Sequence, residues 1–144
     1  MKKYNLAILE THPVTYRIGI YETLGLSPQI NLTVLFCTDS ELWGNRLAPE
    51  SKVINPIKSL NFHHKFLKKY FSLLRKTPPK GLLNLGIIPH LIKNRPDALI
   101  IYGYKSHTAR IAFITAKLLG IPIIFRDELD FIDYSTPIAK KLKR

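Results

Sequence analysis

A chain of 144 residues with 46% hydrophobic content has the size and apolar fraction of a single domain, residues 1–144, with a real core. The lone cysteine, Cys37, sits inside an apolar run, which excludes a disulfide framework and a sulfur-ligated zinc site and fits a reducing cytoplasm. The formal net charge of +12 is unevenly spread, with no acid between Glu50 and Asp97, so an anionic partner is expected: lipid headgroups, nucleic acid or a phosphorylated substrate.

The opening stretch, MKKYNLAILE, holds too few apolar residues for a signal-peptide core, and no stretch approaches the roughly 18 that a membrane-spanning helix needs. Tyr4 to Leu9 reads as a buried strand, continuous rather than alternating, as a parallel sheet covered on both faces requires. Glu10-Thr11-His12-Pro13 forms a polar loop, and Arg17 to Leu26 is a helix ended by Ser27-Pro28. Asn31 to Cys37, NLTVLFC, is a second strand rich in β-branched and aromatic residues. Together these make a strand-helix-strand unit with a right-handed crossover.

Periodicity weakens from Thr38 to about Leu60, where KVINPIKS is either a short strand or a loop. Phe62 to Lys76 predicts an amphipathic helix: Phe62, Phe66, Leu67, Tyr70, Phe71, Leu73 and Leu74 share one half of a helical wheel, and Lys65, Lys68, Lys69, Arg75 and Lys76 fall on the other. TPPKG ends it, and Leu82 to Asn94 forms another helix, started or kinked at Pro89. Ala98 to Tyr102 is a buried strand, His107 to Leu119 a helix closed by Gly120, and Ile121 to Phe125 a further strand running into Arg126-Asp127-Glu128. This alternation predicts an α/β, doubly wound, mostly parallel sheet flanked by helices.

In such a fold ligands gather beyond the carboxyl ends of the strands, so the loops to read are Glu10 to Tyr16, Gly103 to His107 and Arg126 to Asp130. The first lacks the glycines of a dinucleotide loop. His12, Thr11, Glu10 and Tyr16 read either as a solvated turn stiffened by Pro13 or as a polar cradle for a hydroxyl-rich ligand. Gly103 allows close approach and Tyr104 stacking, with Lys105, Ser106 and His107 as polar groups, while Ser106 reads alternatively as the N-cap of the following helix. Arg126 either pairs with Asp127, Glu128 or Asp130 or belongs to a site. No nucleophile elbow and no Walker loop is present, and His63 and His64 do not make a metal site, so no metal or resident cofactor is expected.

Three segments in order, ILETHPVTYRIGIYETLGLSPQINLTVLF, RPDALIIYGY and AKLLGIPIIFRDE, resemble the N-terminal domain of bacterial family-4 glycosyltransferases with the GT-B fold. The resemblance runs from Tyr4 to about Ile132 and is loosest in the middle. It implies a Rossmann-like acceptor-binding domain, the N-terminal half of a GT-B fold, for an enzyme that moves a sugar from a nucleotide sugar to a glycan or lipid-linked acceptor in surface polysaccharide, lipopolysaccharide or glycolipid synthesis. His12, Pro13 and Tyr16 then line the acceptor side of a cleft, joined by Gly103, Tyr104, Arg126 and Glu128, with His12 and Glu128 as the acid/base candidates.

The donor-binding domain is expected elsewhere, on an extension or a separate subunit, so the chain alone is expected to be inactive. Phe62, Lys65, Phe66, Lys69 and Tyr70 are expected either to cover the sheet or to meet an anionic leaflet at the inner face of the membrane. The competing expectations are the N-terminal half of a GT-B-like sugar-nucleotide epimerase and a basic nucleic-acid-binding module; the second lacks any helix-turn-helix pattern.

Overall fold

The computed structural model describes residues 2–38, 60–68, 82–104 and 106–126. Their elements, in chain order, are β1 (Tyr4–Glu10), α1 (Thr15–Gly25), β2 (Ile30–Phe36), β3 (His64–Phe66), α2 (Ile87–Asn94), β4 (Ala98–Tyr102), α3 (His107–Leu118) and β5 (Ile123–Arg126). The strands form one parallel sheet in the order β3-β2-β1-β4-β5.

Period-two alternation along the strands sorts the core onto the two faces of this sheet. Ala7, Leu9, Leu35, Leu99 and Ile101 point to one face, where Ile87 and Leu91 of α2 and Ala109, Ala112 and Ala116 of α3 cover them. The small alanines let α3 lie close to the strands. Ile8, Val34 and Phe36 point to the other face and meet Tyr21 and Ile18 of α1. The step from β1 to β2 runs one way along the sheet and that from β4 to β5 the other, so crossovers of one hand put α1 and α3 on opposite faces. The result is a doubly wound, Rossmann-like sheet whose strand order reverses between β1 and β4.

Residues 62–68 differ from the sequence expectation. In place of the start of an amphipathic helix they supply β3, paired in parallel with β2 through Val34–His64, Leu35–Lys65 and Phe36–Phe66. Backbone bonds from Val34 N to the His63 carbonyl and from Leu67 N to the Phe36 carbonyl close the ladder. Two physical terms favour the strand. The outer edge of β2 carries backbone donors and acceptors that need partners, and Phe62, His64 and Phe66 also alternate at period two.

Phe62 is therefore no surface residue: at 9% exposure it packs edge-on against Tyr21, with ring centroids 5.5 Å apart. Phe66 stacks on Phe36 at 5.4 Å and stays 39% exposed, with Lys65 exposed beside it. Lys69 and Tyr70 lie outside the described residues, as do the rest of the expected helix to Lys76 and the stretch KVINPIKS. The second helix is shorter than expected, beginning at Ile87 with Pro89 in its first turn, where a missing N–H costs nothing.

The segment before α2, Leu82 to Gly86, is held by one fully buried polar side chain. Asn84 donates from Nδ2 to the carbonyls of Cys37 and Leu67, each at 2.9 Å, and its Oδ1 accepts from Thr108 Oγ1 at 3.0 Å. It thereby ties the carboxyl ends of β2 and β3 to the first turn of α3. Ser106 caps α3 by accepting from Ala109 N at 3.0 Å. Gly103 ends β4 with φ +73°, a conformation that side chains with a Cβ rarely adopt. A Cβ there meets no protein atom within 4 Å, so backbone conformation, rather than close packing, calls for glycine.

Candidate functional site

The reversal of strand order opens a crevice at the carboxyl ends of β1 and β4. β1 ends on Glu10 and β4 on Tyr102, both on the α1 face of the sheet. α1 returns over them, and the helical spacing of Arg17 and Tyr21 turns both side chains onto Glu10. Arg17 Nη1 donates to Glu10 Oε1 at 2.5 Å, and the Tyr21 hydroxyl donates to the same oxygen. Glu10 is 2% exposed and Arg17 8%. A carboxylate buried this far needs such compensation, and in return it fixes the first turn of α1 against the sheet.

The guanidinium of Arg17 also lies over the ring of Tyr102, 4.3 Å from its centroid. Arg126, the last residue of β5 and the register partner of Tyr102, approaches the same ring at 5.7 Å. One half-buried tyrosine thus seats two arginines, of which Arg17 is matched by Glu10. Tyr16 is exposed on the outer side of Arg17, with its ring centroid 5.1 Å from the guanidinium.

His12 is half-buried on the loop between Glu10 and α1, with Nδ1 2.9 Å from Thr11 Oγ1. Burial, reinforced by the positive charge of Arg17, holds its imidazole below the usual value of 6.5. It is therefore neutral at pH 7. When Nδ1 carries the proton and donates to Thr11, Nε2 presents a lone pair. The backbone beside His12 stays paired with the end of β2, since Thr38 N donates to the Thr11 carbonyl at 3.0 Å.

The structure brings His12, Tyr16 and Arg126 around Arg17 and Tyr102 at the α1 side of this rim, with Pro13 on the loop next to His12. Tyr104 belongs elsewhere: with Ala109, Arg110, Phe113, Ile114 and Phe125 it lines an open apolar groove of about 510 Å³ on the α3 side. Gly103 joins the two sides. Glu128 lies outside the described residues. Among the described residues, no group of three or more His, Cys, Asp or Glu side chains is placed to hold a metal ion.

Sequence reading missed Tyr102 as the platform and Glu10 as the anchor. Strand parity was the available signal: Glu10 and Tyr102 share the even-numbered face of their strands, where Arg17 and Tyr21 come back at helical spacing. Cys37, at the end of β2, is buried, and burial pushes its thiol up to about 12, so it is not a nucleophile at neutral pH. No helix among the described residues is long and apolar enough to cross a membrane.

No protein-family model matches the chain, and no curated protein matches it. Among solved structures, the crystal structure of MurG from Acinetobacter baumannii is similar to it, with 15% sequence identity and a TM-score of 0.44 over 86% of this chain. The matched part is 34% of that MurG chain, so the present chain spans about a third of its length.

Proposed function

We propose that the chain is the acceptor-binding, Rossmann-like half of a GT-B glycosyltransferase, acting on a glycan or lipid-linked acceptor in the synthesis of cell-surface polysaccharide, lipopolysaccharide or glycolipid. The observation that carries this reading is the polar rim at the strand-order reversal, where His12, Tyr16, Arg17, Tyr102 and Arg126 stand together without a glycine-rich phosphate loop. A hydroxyl-bearing ligand suits such a rim. Tyrosine rings offer flat faces to a sugar, and a neutral imidazole accepts a hydrogen bond from a hydroxyl. The motifs that resemble family-4 enzymes end on this same rim, at THPVTYR, IYGY and IIFR.

In this reading His12 binds and orients the acceptor hydroxyl through Nε2 and stands within reach of its proton. The Glu10, Arg17 and Tyr21 cluster keeps the loop and α1 in register, and Arg126 contacts the acceptor from the β5 side. Glu128, two residues beyond Arg126, remains the second acid/base candidate. The nucleotide sugar is held by a donor-binding domain on an extension or a separate subunit, and the sugar passes to the acceptor in the cleft between the halves. The complete enzyme works in the cytoplasm at the inner face of the membrane, where a net charge of +12 favours an anionic surface.

The test is to express the chain with its donor-binding partner and incubate it with a panel of nucleotide sugars and membrane glycolipid extract. Products are read by mass spectrometry and by release of free nucleotide. A glycosylated acceptor, lost in His12→Ala, supports the proposal. A C2-epimerised nucleotide sugar with no transfer contradicts it and identifies a sugar-nucleotide epimerase instead.

A further inference from the structure

The two arginines on Tyr102 differ in one respect that bears on the ligand. Arg17 gives its charge to Glu10 at 2.5 Å. Arg126 is exposed, and among the described residues its charged group meets the Tyr102 ring but forms no ion pair. The other described acids are engaged elsewhere. Asp97 accepts from the backbone N–H of Asn5 at the opposite end of β1, and Glu22 accepts from Asn61. The described rim therefore carries one uncompensated guanidinium, held beside a second cation by an aromatic floor. A guanidinium resting on a ring loses rotamer freedom in advance of binding, and its planar fork matches two oxygens of a phosphate.

We propose that Arg126, seated on Tyr102, binds a phosphate group of the acceptor. This rests on the acceptor-binding reading and narrows it: the substrate is a phosphorylated sugar or a sugar joined to lipid through phosphate, rather than a neutral glycan. His12, neutral and on the β1 side of the same rim, is left to the acceptor hydroxyl. The phosphate positions the acceptor, and the reacting hydroxyl lies toward the loop after β1.

The experiment titrates the 144-residue chain with inorganic pyrophosphate by calorimetry, at low and at physiological salt. Arg126→Gln and Arg126→Lys are compared with Arg110→Gln, an exposed arginine on the α3 side. A second arm measures co-sedimentation with phosphatidylcholine vesicles, with and without phosphatidylglycerol. The wild type is expected to bind saturably, Arg126→Gln to bind roughly tenfold or more weakly, Arg126→Lys to fall between them, and Arg110→Gln to bind as the wild type does.

Dependence on Arg126 in the pyrophosphate arm identifies a soluble phosphate as sufficient, and dependence confined to the phosphatidylglycerol vesicles identifies a lipid-held one. No dependence on Arg126 in either arm, or equal weakening in Arg110→Gln, overturns the proposal in favour of diffuse attraction by the net charge. If the complete enzyme glycosylates a phosphorylated acceptor as fast in Arg126→Gln as in wild type, the phosphate site falls and the acceptor-binding reading stands. Pyrophosphate bound at Arg126 by a protein that transfers no sugar reverses that outcome.

Discussion

Replacing Glu10 should be among the most damaging single changes in the chain, and the structure gives the size of the effect. Glu10 Oε1 receives both Arg17 Nη1 and the Tyr21 hydroxyl in a nearly water-free position. Glu10→Leu leaves a buried guanidinium without a counter-charge and is expected to cost about 3–5 kcal/mol. That is a large share of the roughly 5–15 kcal/mol that holds a domain together. Tyr21→Phe removes one hydrogen bond to a charged group and should cost about 1.5–3 kcal/mol. The double replacement Glu10→Leu with Arg17→Met restores an apolar contact of similar reach, so it should be more stable than Glu10→Leu alone. Urea unfolding followed by far-UV circular dichroism measures all of these. A Glu10→Leu variant within about 0.5 kcal/mol of wild type, or a double variant as unstable as the sum of the singles, would refute the reasoning.

Asn84→Leu strands the buried carbonyls of Cys37 and Leu67 and should cost roughly 2–5 kcal/mol by the same unfolding measurement; loss of less than about 1 kcal/mol means that those groups find other partners. Cys37 should resist a disulfide reagent at pH 8 until the chain unfolds, because burial covers it and pushes its thiol up to about 12; labelling faster than global unfolding contradicts this. The pH dependence follows from His12 and His90, both held below 6.5 by burial first and by neighbouring positive charge second. Each binds its proton more weakly folded than unfolded, so stability is full above about pH 7 and falls as pH drops through 6.5 toward the folded values. Urea midpoints measured across that window should decline, and less steeply in His12→Gln, whereas an NMR titration placing His12 at or above 6.5 rules the account out.

Much of the fold was legible because the strands of a two-faced parallel sheet are continuous apolar runs. Ala98–Tyr102 is bounded as expected, Ser106 is the N-cap its position after Gly103 suggests, and the other strands shift by a residue or two at their ends. The failure at Phe62 to Phe66 has a definite cause. Five residues carrying three aromatics at alternate positions fit a strand face and a helical stripe equally well, and the open edge of β2, formed more than twenty-five residues earlier in sequence, decides between them. No local window contains that edge. The rim residues were legible one by one, since His12 and Arg126 stand at strand ends and Tyr16 opens the helix that follows the first loop. Their relation was not: Tyr102 gathers Arg17 and Arg126 across a gap of more than a hundred residues, and Tyr104, two residues further on, turns to the opposite side of the sheet.

The central claim is that the α1 side of the rim recognises the acceptor and not the nucleotide sugar. Initial-rate kinetics of the complete enzyme, with each substrate varied in turn, test it most directly. His12→Ala and Arg126→Gln are predicted to raise the acceptor KM about tenfold or more while leaving the donor KM within about twofold of wild type. A raised donor KM with an unchanged acceptor KM would contradict the assignment.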